Sequence, residues 1–377
     1  MTLPKYMRVA RQYAWGDVRL ERMPVPVPGA GEALLRIGAC GVCGSDALSW
    51  YVARKTSQGP LVLGHEPAGE IVAIGSGVSA FSPGDRVFTH HHAPCMDCPE
   101  CRRRLWSGCA VWRESGLEPG GFAEYARISA NSLARDTLLL PGAMDYDTAT
   151  FIEPVACCVR ALRRQGRMEP GDVVLIIGLG CMGQLFIHLA NAYGAGAVFG
   201  SDFVEERRMR AMERGATVVF DPGEVGSHEY RCGGGSPPGQ CGPDSVADVV
   251  ADAVRAATGG RGADLVLVTP GDAAAVQSGI AAAAPGARVV CFTPLPPRQP
   301  LSVDAKTLYF REISLVQSYS CGPDETGEAL RLLTGGVVEV ESLVTHRAGL
   351  SGVGPALARA AGKPEGLKTI IHPGQDP

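Results

Sequence analysis

No apolar run in the 377 residues is long enough to span a bilayer, and the opening Met1-Thr2-Leu3-Pro4-Lys5 lacks the apolar core of a signal peptide. A membrane partner is therefore not expected, and a cytoplasmic location is. The chain also lacks an excess of positive charge, since 35 Lys and Arg stand against 39 Asp and Glu for a formal net charge of -4. Nothing in that balance points to nucleic acid or an anionic membrane surface. What the chain does have is length, apolar content and cysteine. At 377 residues it is too long for one ordinary core, so two domains are expected. Its 45% hydrophobic and 20% charged content describes a soluble globular protein. Thirteen cysteines in a cytoplasmic chain need an explanation other than disulfides, and metal is the first candidate.

Two clusters in the first half carry that explanation. Cys95, Cys98, Cys101 and Cys109 follow one another as C-x2-C-x2-C-x7-C. Four thiolates without a histidine suit a closed tetrahedral zinc site, which has no vacant position and contributes folding energy rather than chemistry. An iron-sulfur cluster uses the same four thiolates and is the chemical alternative. Arg102-Arg103-Arg104 lies inside the motif and is expected to offset part of its negative charge. The second cluster is Cys43-Gly44-Ser45-Asp46 followed by Gly64-His65-Glu66. A thiolate, an imidazole and a carboxylate, with a hydroxyl two residues beyond the thiolate, are the ligand set of an open, catalytic zinc site. Taken alone, Cys43 and His65 read as a buried cysteine and a turn histidine. The block His90-His91-His92 reads as a solvated or substrate-facing turn, with extra metal ligation as the alternative.

The surrounding chain has strand and turn signals. Residues 6–36 alternate apolar and polar and are broken by Pro24, Pro26, Pro28 and Gly29-Ala30-Gly31. Further strand signals at 33–37, 68–75 and 81–87 describe a β-rich first region, with the metal residues on loops at strand ends. Glu153 precedes Pro154, which biases its backbone towards an extended conformation. Alone, a glutamate in that apolar setting, Thr150-Phe151-Ile152-Glu153-Pro154, reads as a helix-entry residue, and with a metal near it becomes a ligand candidate.

The period then changes. A helix is expected over 156–164, and Gly171-Asp172-Val173-Val174-Leu175-Ile176-Ile177 is a run of the kind shown by a buried parallel strand. It runs into Gly178-Leu179-Gly180-Cys181-Met182-Gly183 and a helical stretch over 184–193, the context that a G-x-G-x-x-G needs to bind a dinucleotide. A second strand ends in Asp202, at the interval expected of a carboxylate that binds the adenosine ribose hydroxyls. Asp202 would repel a 2′-phosphate, so NAD is expected over NADP, with nearby Arg207 as the feature that counters this. Residues 221–243 are rich in Gly and Pro and read as an exposed loop, with Cys232 and Cys241 as unpaired loop cysteines or, alternatively, a redox pair. Helices over 246–257 and 273–284 alternate with strands over 264–268 and 287–292, a βαβ series that implies a doubly wound sheet. Beyond Pro294 the regularity stops, apart from a helix over 325–334 and a last strand over 367–371.

On Cys43-Gly44-Ser45-Asp46, Gly64-His65-Glu66, the four-cysteine lobe, Glu153-Pro154 and the glycine motif 178–183, in that order, the chain resembles the zinc-dependent medium-chain dehydrogenase/reductase family. The resemblance covers nearly the whole chain and is closest to the polyol (sorbitol-type) and threonine dehydrogenase branch. It implies an α/β fold in which a doubly wound Rossmann sheet is inserted in a β-rich, GroES-like catalytic domain. The implied segments are 1–156 (with the zinc lobe at about 90–112) and 300–377 for the catalytic domain, and 157–299 for the NAD-binding domain. It further implies two zinc ions. Cys43, His65 and either Glu66 or Glu153 would hold the catalytic one, and Cys95, Cys98, Cys101 and Cys109 the structural one. Asp46 would orient His65, Ser45 would pass on the substrate proton, and Gly178, Gly180, Met182, Gly183, Asp202, Arg207 and Lys368 would contact NAD, Lys368 near the pyrophosphate.

The expected activity is reversible, NAD-linked oxidation of a secondary alcohol (a polyol, sugar or cyclitol) to a ketone, in a homo-oligomer, dimer or tetramer. A threonine-type amino-alcohol dehydrogenase is the enzymatic rival, and a zinc-ribbon protein that binds nucleic acid is the rival of another class. Two features depart from the family pattern. Ala47-Leu48-Ser49-Trp50 stands where many relatives place a histidine that ends a proton relay, so relay beyond Ser45 runs through cofactor ribose, water or another group. The loop over 221–243 is also longer than the family usually carries.

Overall fold

The structure is a computed structural model and describes residues 3–223, 246–362 and 366–375. The chain folds as two compact units: Met1–Cys157 with Ser320–Pro377, and Cys158–Tyr319. The expected second boundary at 299/300 is corrected by this division. Residues 300–319, read as part of the catalytic domain, contain the helix Ala305–Phe310 and the strand Ser314–Gln317, and that strand pairs in parallel with Ala283–Cys291. The short spacing and Pro-rich start of this segment hide its periodicity, and hydrogen bonding to the sheet edge decides its place. Cys232, Cys241 and most of the 221–243 loop lie outside the described residues.

In the first unit, an eight-stranded sheet runs in the order Val344–Ala348, Lys368–Ile371, Ala33–Gly41, Glu66–Ile74, Arg86–Thr89, Thr137–Leu139, with Tyr125–Ile128 and Leu117–Glu118 joined to it beside Ala33–Gly41. Both ends of the chain therefore share one sheet, through antiparallel pairing of Ile370 with Gly41 and of Ile371 with Cys40. A smaller sheet joins Asp17–Pro24, Tyr6–Ala14 and Leu61–Val62. Alternation in these strands turns one face inward, and Met7, Val9, Leu35, Ile37, Ile71, Val87, Phe122 and Ile128 form the buried core between them.

The second unit is a six-stranded parallel sheet in which the first strand in chain order, Val173–Ile177, is central. Its neighbours place the strands in the spatial order 3-2-1-4-5-6, the doubly wound arrangement that binds a dinucleotide where the strand order reverses. Central strands are covered on both faces, which is why Val173–Ile177 and Ala263–Val268 read as continuous apolar runs. The helix Glu205–Glu213 and the strand Val218–Phe220 were not expected. The helix carries six charged residues in nine, EERRMRAME, so its apolar stripe is too thin to register as a period.

Candidate active site and metal groups

Two antiparallel strands set the first group. Gly41 pairs with Glu66 across Ala33–Gly41 and Glu66–Ile74, so the residues just beyond one strand and just before the other come together. Cys43 opens the 3-10 turn Gly44–Ala47, which carries Ser45 and Asp46, and His65 precedes the second strand. One ligand atom each from Cys43, His65 and Glu66 lies within 4.8 Å of the other two. Asp46 Oδ1 stands 3.3 Å from His65 Nδ1, from a side chain only 2% exposed. A carboxylate there fixes the imidazole tautomer and leaves Nε2 for a metal. Burial works against protonation of His65, but the Asp46 and Cys43 charges outweigh it and raise its pKa well above the ordinary imidazole value. The local field therefore favours positive charge at that point, the condition a cation ligand set must meet.

Glu66 is almost fully buried and its carboxylate pairs with the Lys368 ammonium. Burial, with Glu153 adding to it, pushes the Glu66 carboxyl up, while Lys368 and His65 hold it down. Gly41 makes the room: a Cβ at this position would stand 1.9 Å from Glu66 Oε2 and 2.9 Å from Lys368 Cε. The Lys368 ammonium, expected near a pyrophosphate, is buried against Glu66, because the last strand pairs directly beside Gly41.

His90 is a correction, while Glu153 stands where its helix-entry reading put it. It sits in the first turn of the helix Ile152–Val159, and the extended bias from Pro154 does not prevail. Pro154 is tolerated there because a first-turn nitrogen has no intrahelical acceptor to lose. The Glu153 carboxylate groups with His90 and Cys321, all ligand atoms within 4.8 Å, and its charge also bears on Glu66. His90, read as part of a solvated turn, is fully buried, with Nδ1 2.8 Å from Asp136 Oδ2. His91 lies beside it, its ring 5.0 Å from that of His65. Asp136, Cys157 and Cys321 escaped sequence reading altogether; they lie in separate segments, and no local spacing links them.

The four-cysteine lobe is as expected in composition and closes tightly. Cys98 Sγ is 3.4 Å and Cys95 Sγ 3.9 Å from Cys101 Sγ, against about 3.8 Å between sulfurs each 2.3 Å from a tetrahedral zinc. Backbone N–H groups of Asp97 and Cys98 donate to Cys95 Sγ at 3.5 and 3.4 Å, and that of Cys95 donates to Cys109 Sγ at 3.4 Å. The bonds to Cys95 bring its thiol down to about 6, so it is ready to ligate as thiolate. The arginines inside the motif do something other than expected. They are exposed, and Arg102 and Arg104 pair with Asp97 and Asp324, so amide N–H groups are what face the sulfurs.

In the second unit, the strand Val173–Ile177 leads through the glycine loop into the helix Cys181–Ala192. Gly178 has φ +85°, and a Cβ on Gly183 would stand 2.1 Å from Gly178 O. These two glycines are required by the turn and by close helix–strand packing. Gly180 is different: a Cβ there would meet nothing nearer than Arg207 Nη1 at 4.0 Å. The space it leaves faces the helix N-terminus, and the fit is to a phosphate rather than to protein. Met182 lies in the first turn of that helix. Asp202, at the end of Ala197–Ser201, accepts from Leu179 N and from Val204 N at 2.8 Å, with Arg207 Nη1 3.5 Å away.

Comparison with known proteins is consistent with both units. A model of the alcohol dehydrogenase GroES-like domain matches residues 29–138, and one of the zinc-binding dehydrogenases matches 181–335. L-threonine 3-dehydrogenase of Pyrococcus furiosus is 31% identical over 334 residues, 87% of each chain. The chain belongs to the zinc-dependent medium-chain dehydrogenase family. Sorbitol dehydrogenase of Bacillus subtilis, another relative, is 27% identical over 379 residues and 99% of each chain. Among solved structures, galactitol-1-phosphate dehydrogenase from Escherichia coli superposes with a TM-score of 0.80 at 27% identity, over 97% of this chain and 100% of that one. Zinc- and NAD-linked oxidation of an alcohol is the chemistry of this family and of this member of it. No helix among the described residues is long and apolar enough to cross a membrane.

Proposed function

We propose that the protein oxidises a secondary hydroxyl of a polyol, sugar or cyclitol to a ketone, reversibly, at Cys43, His65 and Glu66. The observation that carries this reading is the convergence of those three donors, with Asp46 behind His65. Zinc held there would supply Lewis acidity towards a hydroxyl oxygen, and NAD would supply the acceptor for the hydride of the carbinol carbon. Ser45, half-buried in the turn Gly44–Ala47, takes the hydroxyl proton and hands it on through water or cofactor ribose, since no histidine follows in that turn. Asp46 holds the ring of His65. The Lys368 ammonium pairs with Glu66 and favours its ionised, ligating form against a burial that favours the neutral acid. In the second unit, Gly178, Gly180, Met182 and Gly183 cradle the pyrophosphate, and Asp202 takes the ribose hydroxyls and disfavours NADP, with Arg207 beside it.

The polyol class is supported by the sorbitol and galactitol-1-phosphate relatives, and an amino-alcohol substrate by the threonine dehydrogenase relative. A cytoplasmic homo-oligomer, dimer or tetramer, completes the proposal; thiolate-rich zinc sites suit a reducing compartment. The test is an NAD-linked assay of zinc-replete protein against polyols, sugars, cyclitols and 3-hydroxy amino acids, repeated with NADP. Turnover of a polyol-type substrate with NAD is expected. Turnover of 3-hydroxy amino acids alone would put the amino-alcohol reading in its place, and silence across the panel would end both.

A further inference from the structure

The hairpin at the start of the chain reaches the turn that carries Ser45. Ala14 pairs with Asp17, so Trp15-Gly16 is the whole loop between the strands Tyr6–Ala14 and Asp17–Pro24, with Gly16 at φ +82°. A tryptophan at such a tip, 53% exposed, is not there to fill a core. Its polar edge has a definite partner instead: Trp15 Nε1 donates to Ala47 O at 3.0 Å. Ala47 is the last residue of the 3-10 turn Gly44–Ala47, which holds Ser45 and Asp46. We propose that Trp15 is a positioning residue for the reaction: through Ala47 O it fixes that turn, and with it the Ser45 hydroxyl. The inference rests on the proposed role of Ser45 as acceptor of the substrate proton.

Three observations support it. The turn has little to hold it from within: Asp46 N donates to Cys43 O at 3.1 Å and Leu48 N to Ser45 O at 3.3 Å, and so short a turn leaves its last carbonyls without internal partners. Gly44, just before Ser45, is exposed, and a Cβ there would meet nothing within 4 Å. The holds come from outside, His65 on Asp46 and Trp15 on Ala47. The hairpin tip, secondly, is aimed. Strand register shifts between Gln12 and Ala14, an irregularity of the kind that redirects a side chain. The buried Gln12 amide donates back to Ala14 O at 2.8 Å and stiffens the backbone that leads into Trp15.

The same strand, thirdly, is tied to the other side of the donor group. Arg11 and Gln12 pair with Val62 and Leu61, and the chain from there runs through Leu63-Gly64 to His65. The helix Ser49–Thr56, which follows the turn, also packs against Tyr6–Ala14. The hairpin therefore sets the turn that carries Ser45 against the segment that carries His65. Because the indole is half-exposed, its donor can be removed at little cost to the fold.

The test is Trp15→Phe in the full, zinc-replete chain, a change that keeps a ring and removes the donor. Amide hydrogen exchange read by mass spectrometry needs no substrate: the Asp46 and Leu48 amides are expected to exchange about fivefold faster, with the strand Lys368–Ile371 unchanged. In steady-state assays on the polyol-type substrate that the wild type turns over fastest, kcat is expected to fall about fivefold at unchanged KM, zinc content and melting temperature. On a Ser45→Ala background the same substitution should lower kcat no further, since both act on one hydroxyl. Wild-type exchange at Asp46 and Leu48 overturns the proposal, and so does an unchanged kcat or a loss of equal size with and without Ser45. A wild type silent on every polyol, sugar, cyclitol and 3-hydroxy amino acid ends the proposed function, and the exchange rates then still decide whether Trp15 holds the turn. An active wild type with Trp15→Phe unaltered in both measurements removes the role of Trp15 and leaves the function standing.

Discussion

The four-cysteine lobe and the Cys43, His65 and Glu66 group are both sets of donors that could hold a metal, built in one unit, yet they are encoded in opposite ways. The lobe spans Cys95 to Cys109, is partly exposed, and is held by its own backbone N–H groups donating to sulfur. The proposed catalytic group draws on residues from 41 to 368, is largely buried, and is held by a sheet register and by a carboxylate paired with a lysine far along the chain. A closed site can be local because its ligands need only each other. An open site must spare a position for substrate, so tertiary structure supplies the positioning that missing ligands do not.

Exchanging the roles of the two groups should break that contrast most sharply. Cys43→Ser is expected to lower kcat/KM by about a thousandfold or more, on the order of 4 kcal/mol in the barrier, while the melting temperature moves by a few degrees. Cys101→Ser is expected to do the reverse first: loss of one zinc and a large fall in melting temperature, with activity lost only as the fold is lost. Calorimetry and initial rates on both variants decide; equal losses of activity at unchanged stability would remove the distinction.

Lys368→Met addresses the long-range half of the comparison. Removing the ammonium leaves Glu66 buried and unpaired, a loss of about 3 kcal/mol by analogy with broken buried ion pairs. Denaturant unfolding measures it, and a second substitution, Glu66→Gln, should restore part of the stability but not the activity. A Lys368→Met protein as stable as wild type would mean that the pair holds nothing in place.

The smallest expected effect concerns the link between the lobe and the sheet. His92 packs on Trp112, ring centroids 4.3 Å apart, and bonds to Ser115 O at 2.5 Å. Burial first, then the His90 charge, lowers its pKa to about 4. The unfolded chain therefore binds the proton more readily between pH 6.5 and 4. The contribution of His92 is complete above pH 6.5 and is lost as pH falls through 4, a change of order 1–3 kcal/mol at most. Melting curves of wild type and His92→Gln over that range should converge as pH falls, and a constant gap would contradict the assignment.

How much was legible follows the same division. The glycine motif 178–183, the four-cysteine spacing and the apolar strands of the parallel sheet are short-range patterns, and each is where it was read. The charged helix Glu205–Glu213, the strand Ser314–Gln317 and the helix Val353–Ala361 were not read, because their places depend on what covers them rather than on a period. His90 was visible as a histidine but not as a buried one, since Asp136, 46 residues on, is what accepts from it.

By itself the sequence determined the kinds of site this protein carries, because ligand types and their local spacing are chemical facts of a short segment. It also determined which stretch turns around a phosphate, since only glycine allows φ +85° at Gly178 and an open surface at Gly180. Which glutamate stands with Cys43 and His65, where Lys368 directs its charge, and that Glu153 joins His90 and Cys321 were decided only in three dimensions. The physical reason is that a buried carboxylate goes to whichever cation or donor the sheet register brings within a few ångströms, and register is a property of paired strands, not of either one alone.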